Sequence, residues 1–123
     1  EQRQADLEKM QETLKAGLET RFIYANEVAT LFGKERESAK DLLALWLRWW
    51  RDLLLIKEGA DTFLHNADHE DSLKNQASSL NTVEILQFIN RLIQTMSSLD
   101  NNANPRLAME VLMLNLPIKA SQV

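Results

Sequence analysis

A chain of 123 residues, 45% hydrophobic and 26% charged, has the length of one domain and the composition of a packed one, which argues against a disordered tail and a membrane protein. Its formal net charge of −4 has the wrong sign for a domain whose main work is neutralising phosphates, so nucleic acid is not expected as the direct ligand. The longest apolar runs, such as Leu53 to Ile56, fall far short of the roughly 20 residues that span a bilayer. With no cysteine and no signal peptide, the expected setting is the cytoplasm. A chain that opens on Glu1 and passes at once into a helical pattern is expected to be the carboxy-terminal fragment of a longer protein, residues 1–123 forming one domain.

The first predicted helix covers about Ala5 to Ala16, where Leu7, Met10 and Leu14 recur at spacings of three and four and Gly17 offers a left-handed stop. A short helix from Tyr24 to Phe32 follows, closed by Gly33 in the same way. The third segment, Arg36 to Glu58, carries two apolar stripes. Leu42, Trp46, Trp49, Trp50 and Leu53 form one, and Ala39, Leu43, Leu47 and Leu54 the other. They leave a narrow polar strip through Asp41, Arg48 and Asp52. A helix apolar on nearly every side belongs at the centre of a bundle. Arg48 and Asp52 stand four apart on that strip, an exposed pair worth about 0.2 to 0.5 kcal/mol. Gly59 ends the helix.

Residues 60–68 read as a connection, with Asp68 as cap of a modest helix from His69 to Ser78. Asn81 and Glu84 make a capping box before the amphipathic run of Ile85, Ile89, Leu92, Ile93, Met96 and Leu99. Asn104 as cap and Pro105 at the first helical position start a last helix that Pro117 stops. No segment alternates like a strand. The expected fold is all-α, a single bundle of five or six helices.

Chemistry is sparse. The glycines are isolated, so no phosphate-cradling loop is present, and nothing nominates a nucleophile beside a base. No cofactor, small-molecule ligand or catalytic activity is expected of this domain. His65 and His69, four apart and near Asp68 and Asp71, have metal-ligand spacing, but solvated histidines with Asp68 as a cap account for them better. Asp100, Asn102 and Asn104 imitate the start of a calcium loop, yet Pro105 stands where its glycine belongs and Val111 where its bidentate acid belongs. Trp46, Trp49, Trp50 and Leu53 share one helical face, which points to core or subunit contact over a stacking platform.

A rival reading is a helix-turn-helix at residues 25–44, in which Ala29, Gly33, Val28, Phe32, Ala39 and Leu42 hold the needed spacing. It predicts duplex binding through Arg36 and Lys40. Against it, Lys34 sits where an apolar residue is usual, and Lys34, Glu35, Arg36 and Glu37 alternate in sign with no basic stripe.

The segment LDNNANPRLAMEVLMLNLP, residues 99–117, resembles the end of bacterial DNA polymerase III clamp-loader subunits, which close on an Asn-Ala-Asn-Pro-Arg-Leu-Ala-hydrophobic-Glu helix. Asn102, Asn104, Pro105, Arg106 and Glu110 carry that motif. Upstream, WLRWWRDLLLIKEG followed by Leu64, Asn66 and Asp68 resembles the Arg-Asp helix and the Asn-x-Asp connection of the delta-prime subunit, so the likeness extends over residues 36–117. The gamma/tau subunits share the closing motif. The resemblance implies a collar domain that associates with the other loader subunits in a hetero-oligomer, binds no DNA itself, and follows AAA+-like domains. Arg106, in a first helical turn, meets either a partner carboxylate or solvent.

Overall fold

The computed structural model describes residues 1–118. Among them are six α-helices: α1 Gln2–Lys15, α2 Leu18–Lys34, α3 Arg36–Lys57, α4 Glu70–Ala77, α5 Thr82–Asp100 and α6 Pro105–Leu114, with 3₁₀ turns at Asp61–Phe63 and Ala67–His69 between α3 and α4. The fold is an all-α bundle. No helix among the described residues is long and apolar enough to cross a membrane.

The central place expected for the tryptophan-rich helix is where α3 lies, packed by α1, α2, α4 and α5, while α6 closes the bundle against α2 and α5. Trp46, Trp49, Trp50 and Leu53 are all buried, as are Ala39 and Leu43 from the second stripe. Trp50 stacks at a tilt on Phe88 of α5, their ring centroids 4.4 Å apart. Trp46 sits between Tyr24 and Phe88, at 5.6 and 6.4 Å. One helix thus gathers aromatic partners from both flanking helices, and truncation of any such residue typically costs about 3 to 5 kcal/mol.

Two helix ends differ from the sequence reading. Gly17 is not a left-handed stop but the extended N-cap of α2, with φ −77°, and α1 ends because Ala16 turns extended. Gly33 does not end α2 either. It lies inside a helix that begins at Leu18, well before Tyr24, and continues to Lys34. The break falls at Glu35, with φ −141°. Gly59 behaves as expected, adopting φ 73°. Its N–H reaches the Ile56 carbonyl and that of Ala60 reaches Leu55, the paired bonds of a Schellman stop.

The helix-turn-helix reading does not survive this geometry. Such a unit needs a turn of about three or four residues, and here Glu35 alone separates α2 from α3. Ala39 and Leu42 face the core. Arg36 lies over the Phe32 ring at 4.5 Å and donates to the Leu99 carbonyl, while Lys40 pairs with Asp100. The cations required for DNA are committed to their own chain.

Candidate subunit interface

The four residues proposed as interface or core resolve to core. Trp46, Trp49, Trp50 and Leu53 have at most 1% of their surface exposed and lie in the core cluster. Trp46 Nε1 donates to Tyr24 Oη at 2.8 Å, and Trp49 Nε1 donates to Gln76 Oε1 at 2.8 Å. Trp50 Nε1 is buried with no acceptor among the described residues.

The polar strip of α3 is also not what periodicity suggests. Asp52 is 1% exposed and does not meet Arg48. Its carboxylate accepts the backbone N–H of His65 at 2.9 Å and of Asn66 at 2.8 Å, and the Asn66 side-chain amide at 2.9 Å. A buried charge held by three donors is paired in the sense that burial demands. Asn66 Oδ1 in turn accepts from Arg3 Nη2 at 2.6 Å, and Arg3 grips Asp68 through two bonds of 3.3 Å. Asp68 is therefore no helix cap. His69 caps α4, which spans Glu70–Ala77, without a side-chain bond, and the Arg3 guanidinium holds the Asp68 carboxyl below its ordinary value. The His69 ring stands edge-on to Trp49 at 5.9 Å. Among the described residues no three His, Asp or Glu side chains converge as a metal needs.

The closing motif sets where α6 points. Asn102 takes φ 64°, a left-handed conformation that asparagine tolerates better than most side chains. Its N–H reaches the Leu99 carbonyl, and the Ala103 N–H reaches Ser98. These two bonds stop α5. Asn104 Oδ1 then accepts the Leu107 N–H at 3.0 Å, with Pro105 opening α6. The capping box of Asn81 and Glu84 is formed likewise at the other end of α5. Arg106 is largely exposed and meets Glu110 of its own helix at 3.3 Å, which offsets its unfavourable place in the first turn.

A residue that sequence reasoning missed fastens the far end of α6. Arg21 is 2% exposed and meets no carboxylate among the described residues. It donates to the carbonyls of Thr13 at 3.3 Å, Leu14 at 2.9 Å and Ile118 at 2.9 Å. The carbonyls that end α1 carry its negative pole, a suitable seat for a cation. Desolvation pulls the guanidinium below its ordinary value. A lone arginine in a polar helical turn carries no sequence signal of such burial.

Held at both ends, α6 presents Leu107, Val111 and Leu114 to solvent at 60%, 42% and 56% exposure, spacings of four and three that make one uncovered stripe. The groove beside it, lined on the other wall by Arg91, Gln94, Thr95 and Ser98, lies between α6 and α5. Leu86 and Ile93 are exposed as well, and helical register puts them on the opposite flank of α5, with exposed Val83 between that flank and the groove wall. Among the described residues two separate apolar stripes are thus left exposed, Leu107, Val111 and Leu114 on α6 and Leu86 with Ile93 on α5.

The sequence matches the family model described as DNA polymerase III, delta subunit, C terminal, over residues 4–117. No curated protein and no solved structure matches the chain. The match takes in most of residues 1–35, where the sequence resemblance extended only over 36–117. A bundle built around α3, closed by a motif that aims α6, and matched over nearly its whole length belongs to the family of DNA polymerase III delta-subunit carboxy-terminal domains.

Proposed function

We propose that this chain is a subunit-association domain of the clamp-loader collar, of the delta-prime type, which holds together the assembly that places the sliding clamp on primed DNA. The observation that carries the reading is the α6 stripe of Leu107, Val111 and Leu114, left exposed among the described residues. The second stripe on α5 gives a subunit that meets two neighbours a surface for each. Family membership supports a role within DNA polymerase III, and the Arg-Asp helix with its Asn-x-Asp connection favours delta-prime over gamma/tau. Asp52, Asn66 and Asp68, three of the residues behind that finer assignment, are linked in one network through Arg3. In this role the domain is not an enzyme. Sister subunits are its partners, and DNA is not among its direct ligands.

The test is to mix the full chain with the other loader subunits and determine the mass of the products under native conditions. Stable hetero-oligomers are expected, and they should be lost when Leu107 and Leu114 are both replaced by Asp with the helical signal unchanged. A chain that stays monomeric with every sister subunit would refute the reading.

A further inference from the structure

The groove between α5 and α6 continues past its first stretch. A second stretch, lined by Gln87, Phe88, Asn115 and Pro117, shares Arg91 and Gln94 with the first, and the two enclose about 280 and 410 Å³. Together they flank α6 along its ten residues, a length of about 15 Å at 1.5 Å per residue. One wall is amide and hydroxyl, from Gln87, Gln94, Thr95 and Ser98 of α5. The other is apolar, from Leu107 and Val111 of α6.

The lining residues include two formal charges, Arg91 and Glu84. The Glu84 carboxylate is already occupied by the Asn81 N–H at 3.0 Å. Arg91 makes no ion pair among the described residues and stands where the two stretches meet. We infer that this groove receives an amphipathic helix of a sister loader subunit, its apolar ridge against Leu107 and Val111 and an Asp or Glu beside that ridge pairing with Arg91. The inference rests on the collar reading and names how one neighbour docks.

The form of the groove selects a helix. Grooves between two helices accept the side-chain ridge of a third, with anchors about one turn apart. A guanidinium with a free fork favours a carboxylate in bidentate geometry. A single cation in a domain of net charge −4 does not suit a nucleic acid backbone. The acid beside the Leu107 and Val111 ridge in a second copy would be Glu110, which Arg106 already holds.

The experiment is reconstitution of the loader from the full chain and its sister subunits, comparing the native sequence with Arg91→Glu, Arg91→Lys, Val111→Asp and a charge reversal outside the groove, Lys57→Glu. Arg91→Glu and Val111→Asp are expected to weaken association about tenfold or more. Arg91→Lys should weaken it less, and Lys57→Glu should leave it unchanged. The salt dependence of assembly should flatten in Arg91→Glu. Arg91 is exposed, so circular dichroism should show these effects without loss of the fold. A complex that forms with undiminished affinity in both groove variants overturns the groove while leaving the collar reading intact. No complex with any sister subunit overturns both. Self-association of the chain that Arg91→Glu abolishes would make a second copy the occupant and overturn the partner named here.

Discussion

The buried carboxylate of Asp52 accepts both the backbone N–H and the side-chain amide of Asn66, at 2.8 and 2.9 Å. That pair fastens the irregular chain between α3 and α4 to the middle of α3, and the bond from Asn66 Oδ1 to Arg3 brings α1 into the same knot. A segment with little secondary structure of its own is thereby made a fixed part of the bundle.

Asp52→Ala removes the acceptor from three donors at once. Buried donors left unpaired cost about 1 to 3 kcal/mol each, so a loss of about 3 kcal/mol or more is expected from denaturant unfolding. Hydrogen exchange at the amides of His65 and Asn66 should accelerate more than in α5. Equal acceleration in both places would mean that Asp52 does not act locally.

At Asn102 the backbone itself is the test. With φ at 64°, Asn102→Ala is expected to cost about 1 to 2 kcal/mol from left-handed strain, whereas Asn102→Gly should be neutral or slightly stabilising. Thermal unfolding of the two variants separates a conformational role from a side-chain one. If glycine costs as much as alanine, the side chain of Asn102 has a role of its own.

Gly33 leads to the opposite expectation. It sits in a helix, and an added Cβ would meet nothing within 4 Å. Gly33→Ala should stabilise the protein by about 0.5 to 1 kcal/mol, since alanine loses less backbone freedom on folding. A destabilised variant would show that residue 33 serves as a hinge or close-approach point.

Burial raises the Tyr24 phenol above its ordinary value of 10.0, and the nearby charges of Asp6 and Glu27 push the same way against the opposing bond from Trp46. A group whose pKa is raised by folding stabilises the native state fully below its unfolded pKa and loses that contribution as pH rises through it. The alkaline edge of stability should therefore begin near pH 10.0. Tyr24→Phe leaves the Trp46 N–H unpaired, at a cost of about 1 to 3 kcal/mol near neutrality. Its deficit relative to the native chain should shrink as pH climbs past that point. A deficit independent of pH would contradict the assignment.

What the sequence determined follows from local rules. The capping box at Asn81 and Glu84, the cap and proline at Asn104 and Pro105, the stop at Gly59 and the central position of α3 all rest on interactions within a few residues or on one helical period. The closing motif also pointed to the clamp-loader family, and its residues prove to stop α5 and start α6. Tertiary structure alone decided the rest. Asp52 reads as half of an exposed pair because Arg48 is four residues away, but its donors lie on a connection that reaches it only once α3 and α4 have folded back together. Arg21 is buried by the end of α1 and the carbonyl of Ile118, a partner 97 positions distant. Gly17 and Gly33 invite a stop, yet glycine only permits left-handed backbone; whether the chain takes it depends on the packing of α2 against α3 and α6. Which apolar stripe is covered is likewise a property of the whole bundle. The tryptophans went inside because α2, α4 and α5 surround α3, and Leu107, Val111 and Leu114 stayed outside because no helix among the described residues packs over them.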